Sequence, residues 1–154
     1  MPVIRLASDS DVEVTAALLA GFRDWMGRET PAQASLERDV GRLLGDPDTE
    51  FLLGSRREGG PPEGVCQLRY RYGVWHEADD CWLEDLYVRD AARGAGLGAT
   101  LVEGALERAR ARGCARVELD VNEENPAALL LYERLGFTTS PKPPGRTLLM
   151  RRSL

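Results

Sequence analysis

The sequence predicts a single mixed α+β domain, a central, mixed but mostly antiparallel sheet of about seven strands flanked by about four helices. Three observations lead there. Apolar residues recur at helical spacing over residues 12–26 and again over 36–44. The period then changes to three strand-like runs between Phe51 and Val88, separated by short turn-rich connections. Finally, a glycine-rich loop opens a helix, and a further strand follows that helix. At 154 residues, 43% hydrophobic and 29% charged, the chain has the size and balance of one soluble domain spanning residues 1–154. No repeat, low-complexity tract or linker interrupts it.

Val3 to Leu6 is a short strand candidate. Ser8 or Ser10 caps the next helix, on which Val12, Ala16, Leu19, Phe22 and Met26 share a face. Pro31 restarts the chain, and Leu36, Val40, Leu43 and Leu44 mark a second helix ending near Gly45 and Pro47. Strands are expected over Phe51 to Arg56, Gly64 to Trp75 and Asp80 to Val88. They are joined by residues 58–62 and by the turn His76 to Asp79. These short connections favour an antiparallel meander. The run from Leu97 to Arg112 reads as a helix and Ala115 to Val121 as a strand, which makes a right-handed parallel crossover. Asn125-Pro126 opens another helix and Gly136 closes it. Phe137 to Thr139 and Thr147 to Arg152 complete the set as two last strands, joined by the stiff loop 141–145.

The formal net charge of -5, with no basic stripe on any element, argues against a nucleic-acid partner. Cys66, Cys81 and Cys114 are odd in number and far apart, which suits buried free thiols of a reducing compartment better than a disulfide or a metal site. The start of the chain does not resemble a signal peptide, and no apolar run reaches membrane-spanning length, so a cytoplasmic protein without a membrane partner is expected. His76, alone in a predicted turn without a nucleophile or metal partner, reads as a surface residue.

Arg93-Gly94-Ala95-Gly96-Leu97-Gly98 is the most informative segment. Its glycines let the backbone approach a ligand closely, and the helix start beyond them offers N–H groups and partial positive charge to a phosphate. A nucleotide P-loop requires Lys after the last glycine, where this chain has Ala99-Thr100. A dinucleotide fingerprint is matched by Gly94, Gly96 and Ala99, but there the first glycine follows its strand directly. Here Arg89 to Arg93 intervene. The third design, [Arg or Gln]-x-x-Gly-x-[Gly or Ala], is filled by Arg93, Gly96 and Gly98. With Leu83-Glu84-Asp85-Leu86-Tyr87-Val88 before the loop, and Asn125-Pro126-Ala127-Ala128 and Leu131 to Phe137 after it, residues 82–137 resemble the GCN5-related N-acetyltransferase (GNAT) family.

The resemblance implies a GNAT-type fold and an acetyl-CoA cosubstrate, with no metal. Acetyl-CoA would lie where the strand ending at Val88 and the strand ending near Val121 splay apart. Backbone groups of Gly94, Ala95, Gly96, Leu97, Gly98 and Ala99 would hold the pyrophosphate with Arg93 closing over it. Main-chain groups of Leu86, Tyr87 and Val88 would line the pantetheine arm. Asn125 resembles a CoA-contacting asparagine, though helix capping explains it equally well. Glu84 is the candidate base for an amine acceptor, with Asp85 or water alone as alternatives, and Tyr132 is the candidate proton donor to the departing sulfur. Uniform strand alternation groups Asp85 with Leu83 and Tyr87 and sets Glu84 on the other face. Trp25, Met26 and Glu29 are candidates for the acceptor pocket by the same likeness. The acids Glu77, Asp79, Asp80, Glu84, Asp85, Glu123 and Glu124, if several lined the cleft, would favour a cationic acceptor such as a polyamine, an aminoglycoside or a lysine side chain. The expected protein is an N-acetyltransferase acting directly on a primary amine, as a homodimer. The alternative is a CoA-binding regulatory module of the same fold.

Overall fold

The computed structural model describes residues 1–139, 145 and 147–154. The chain falls into two compact units, Met1–Asp120 and Val121–Leu154. The first holds the sheet. Its elements are β1 (Val3–Leu6), α1 (Val12–Trp25), α2 (Gln33–Leu44), β2 (Thr49–Ser55), β3 (Gly64–Gly73), β4 (Ala78–Val88), α3 (Leu97–Ala111) and β5 (Arg116–Glu118). The second contains α4 (Pro126–Arg134). Sheet order follows the sequence, β1-β2-β3-β4-β5, antiparallel throughout except for the parallel pair β4–β5.

The antiparallel meander and the parallel crossover therefore stand, and among the described residues the strand count is five rather than about seven. Phe137 to Thr139 and Thr147 to Arg152 run as irregular chain. A β-prone run becomes a strand only when a neighbour takes up its N–H and C=O groups and one face is buried. Leu148, Leu149 and Met150 instead expose 66%, 77% and 88% of their surface. The joining loop expected over 141–145 lies outside the described residues except for Gly145. Two smaller differences have local causes. The β3–β4 turn closes over 74–77, so β4 begins at Ala78, and β5 pairs only through three residues. Ser8 caps a 3-10 turn, Asp9–Asp11, that precedes α1, its backbone N–H donating to the Asp11 carboxylate at 2.8 Å.

Each sheet face is buried by helices. Ala16 and Leu18 of α1 and Val40 of α2 pack on Phe51, Leu53 and Val65. On the opposite face α3 lies close against the strands because Gly54 and Gly64 carry no side chain. A Cβ on either would stand 2.7 Å from Leu97 Cδ1 or 2.8 Å from Leu101 Cδ1. The end of α3 is tied down by charge. Arg108 donates two hydrogen bonds to Glu50, which also accepts from the Tyr70 hydroxyl at 2.8 Å, and Arg112 pairs with Asp48 and Asp79. Cys66 and Cys81 are buried free thiols, and His76 sits exposed in the β3–β4 turn.

Phe51 is 1% exposed beneath α1 and α2, so Phe51→Ala should cost about 3–5 kcal/mol in urea unfolding. A loss below about 1 kcal/mol would mean that the core does not close there.

Candidate active site

The glycine loop has the form of an anion cradle. Gly94 and Gly96 both have left-handed backbones, φ 79° and 81°, conformations that glycine adopts without a steric penalty. A Cβ on either would meet nothing within 4 Å, so this backbone is open to an approaching ligand. Gly96 is the N-cap of α3 and no side chain caps that helix. The N–H groups of Leu97, Gly98 and Ala99 are thus the unpaired donors of a 15-residue helix. The Leu97 side chain is buried against the sheet, which leaves only its backbone for a ligand. A pyrophosphate fits this donor set.

Arg93 points elsewhere. Its Nε donates to the Val88 carbonyl at 3.0 Å, it pairs with Asp90 at 3.1 Å, and its guanidinium lies 5.7 Å and 6.0 Å from the ring centres of Trp25 and Tyr87. Closing over a pyrophosphate requires it to leave these contacts.

Where the two strands were expected to splay apart, β5 ends at Glu118 instead. β4 pairs with β5 only through Asp80, Cys81 and Trp82, and beyond Trp82 it runs on to Val88 with no described partner on that side. On the other side it pairs with β3 as far as Val88. Arg89 N donates to Glu63 O at 2.9 Å, so in the antiparallel pattern Tyr87 also bonds to β3. Leu86 and Val88 alternate with these residues and turn their N–H and C=O groups to the open side. The main-chain groups expected to receive a pantetheine arm are therefore unpaired by strand. The Tyr87 side chain faces the other way, stacked on Phe22 of α1 at 5.7 Å.

β4 also carries an extra residue. Gln67 stands opposite Asp85 but Leu68 opposite Leu83, which leaves Glu84 as a bulge. The bulge breaks the uniform alternation expected from sequence. Leu83 and Asp85 now sit across from consecutive β3 residues, and so on opposite faces. Glu84 is exposed. Asp85 instead joins Gln67 in an open pocket of about 210 Å³ bordered by α1, the α1–α2 connection and α2, lined by Leu19, Phe22, Met26, Leu36, Val40 and Leu43 among others. Burial pushes its carboxyl up to about 6, with Glu84 and Asp120 adding to the shift.

Of the three residues expected in an acceptor pocket, Met26 lines this one, whereas Trp25 stacks on Phe22 and Glu29 is exposed. Of the seven acids expected near the acceptor, Asp85 alone lines it. Asp79 and Asp80 are paired with Arg112 and Arg116. Sequence reasoning missed Gln67 and the α2 wall. The available signal was Gln67 itself, a polar residue in a Val65-Cys66-Gln67-Leu68 run, and it is only 5% exposed.

In the second unit the Asn125 side chain caps α4, accepting from Ala128 N at 3.2 Å, and Pro126 occupies the first turn. Tyr132 is 9% exposed and meets Phe137 edge to face at 5.7 Å.

The sequence model of the acetyltransferase (GNAT) family matches residues 17–137, and the chain belongs to that family. Among its relatives, thialysine N-epsilon-acetyltransferase of Bos taurus is 34% identical over 82 residues, 50% of this chain and 48% of that protein, so the chain spans about half the length of this relative in the match. An N-acetyltransferase of Escherichia coli (strain K12) is 30% identical over 118 residues, 71% of each. A crystal structure described as an acetyltransferase, from Arthrobacter sp. FB24, superposes with a TM-score of 0.86 at 33% identity, covering 99% of this chain and 96% of that one.

The raised Asp85 carboxyl has a consequence for stability. Its ordinary value is 3.8, and the folded state holds the proton more tightly, up to about 6. Ionised Asp85 therefore opposes folding by an amount absent below pH 4, growing as pH rises toward 6 and fully present above it. Asp85→Asn should stabilise the protein at pH 8 by on the order of 2–3 kcal/mol and have little effect near pH 3.5. Equal or lower stability of the variant at pH 8 in urea unfolding would contradict this placement.

Proposed function

We propose that this protein transfers an acetyl group from acetyl-CoA to the amine of an acceptor seated in the pocket between α1, α2 and β4. One observation carries the reading. Within residues 85–88 of a single strand, a pocket carboxylate alternates with main-chain groups of Leu86 and Val88 that no strand pairs, the Val88 carbonyl being held by Arg93. A donor lying along that edge and an amine lying against Asp85 would meet across one strand. The family supplies acetyl-CoA as cosubstrate, and several relatives are named for acetyl transfer, among them the thialysine enzyme. The glycine loop receives the pyrophosphate, and an N–H of Leu86 or Val88 receives the charge that develops on the thioester oxygen.

An amine acceptor is protonated at neutral pH and must lose a proton before nitrogen attacks. Asp85 accepts that proton. Its partial burial raises its basicity, whereas Glu84, on the exposed bulge, acts at most through water. The new C–N bond forms as the C–S bond breaks and the thiolate leaves. Tyr132 is carried over from the family likeness as the donor of a proton to that sulfur. Transfer is direct, a reading supported by the thiols. Burial pushes Cys66 strongly upward and Cys81 up to about 12, so neither is a thiolate at neutral pH.

Thiol release from acetyl-CoA against a mixed panel of amines tests this reading. The kcat/KM of the unaltered protein should rise with pH through about 6 as Asp85 ionises. Asp85→Asn should lower it by roughly 100-fold or more and remove that limb, while Glu84→Gln keeps it. The reverse pattern would make Glu84 the base. No release with any amine, despite tight CoA binding, would identify a CoA-binding module instead.

A further inference from the structure

The acceptor pocket has an uneven polar lining. Its walls are apolar, from Leu19, Phe22 and Met26 on α1 to Leu36, Val40 and Leu43 on α2. Four of its polar residues are charged. Two of these are already neutralised or engaged. Arg23 pairs with Asp24 at 2.7 Å and donates to the Pro31 carbonyl at 2.7 Å, which ties the α1–α2 connection to α1. Asp39 pairs with Arg38 at 3.1 Å. The other two, the half-buried Asp85 and the exposed Arg28 at the pocket mouth, have no hydrogen bond or ion pair from their side chains to any described residue. Gln67, 95% buried beside Asp85, likewise has no side-chain hydrogen bond among the described residues. An amide that lines the pocket with no protein partner is left available to a ligand.

From this arrangement, and resting on the acceptor reading above, we infer that the acceptor is a small zwitterionic monoamine of the apolar amino-acid class, its amine at Asp85 and Gln67 and its carboxylate at Arg28. One unpaired anion and one unpaired cation, separated by an apolar wall, complement a molecule with one charge of each sign on an apolar body. They do not complement a polycation. A polyamine would set its second ammonium beside Arg28 and Arg23, where it meets like charge. The guanidinium is also suited to its task, because its fork matches a carboxylate in two parallel hydrogen bonds.

The test compares matched probes. Leucine, methionine and phenylalanine are assayed as acetyl acceptors beside their amides, their decarboxylated amines and spermidine, with the unaltered protein, Arg28→Gln and Arg28→Lys. Binding of the same compounds to the CoA-saturated protein is measured by calorimetry. At least one acid should exceed its own amide and decarboxylated amine by about 10- to 100-fold in kcat/KM and in affinity. Arg28→Gln should erase most of that margin by raising KM for the acid far more than for its amide, and Arg28→Lys should restore part of it. Equal use of acid and amide, a preference for spermidine, or a margin that survives Arg28→Gln would overturn the inference while acetyl transfer stands. If no amine is acetylated at all, acetyl transfer falls, and calorimetry decides the zwitterion site alone. An Arg28-dependent preference for the acid upholds it, and its absence overturns it.

Discussion

Strand β4 has to satisfy three neighbours along eleven residues, and one extra residue makes that possible. Its first part pairs on both sides, with β3 and with β5. Its last part pairs with β3 alone, and between the two lies the Glu84 bulge. A strand without that insertion would keep strict alternation and send Asp85 to the same face as Leu83. With it, Leu83 packs opposite Leu68 while Asp85 and Tyr87 turn toward α1. Leu86 and Val88 keep their hydrogen-bonding groups on the side where β5 has ended. A carboxylate on one face and strand-unpaired amides on the edge, one and three residues further on, follow from a single irregularity in pairing.

The surrounding fold holds this strand in place. Gly21 lets α1 approach Tyr87 directly, since a Cβ there would lie 2.9 Å from the ring. Arg23 fixes the α1–α2 connection that closes the pocket. On the opposite face Leu97 anchors α3 in the space left by Gly54, which sets where the helix N-terminus and its glycine loop emerge. The glycine loop at the start of α3 and the pocket at Asp85 are therefore built on opposite faces of one sheet, and the reading of them as donor and acceptor sites makes β4 the element common to both. Partial burial of Asp85 sets stability against function. The fold holds a carboxyl whose ionisation opposes folding, a pattern expected where the group works on a ligand rather than on the core.

Much of this was legible in the sequence because it depends on local signals. Glycine placement gave away the loop, Asn125-Pro126 and Gly136 bounded α4, and the change of apolar period marked the passage from α2 to the meander. What escaped depends on partners distant in sequence. A bulge is a mismatch between two strands, and nothing in Leu83-Glu84-Asp85 reveals it without Gln67 and Leu68 alongside. Alternation alone set the two acids on opposite faces and the family likeness favoured Glu84, whereas the pairing with β3 turns Asp85 to the pocket. The two missing strands fail for the same reason, since β-prone residues such as Leu148 and Leu149 cannot declare whether a neighbour will cover them. The acids of β4 looked like one cluster in sequence, while in space Asp79 and Asp80 are consumed by Arg112 and Arg116.

The most direct measurement is the carboxyl titration of Asp85 by NMR in the CoA-saturated protein, with and without a bound amine. A carboxylate in the acceptor pocket should titrate near 6 when free and fall well below that when an ammonium pairs with it. A midpoint near 4 that does not move on amine binding would place Asp85 outside the reaction and return the role to Glu84.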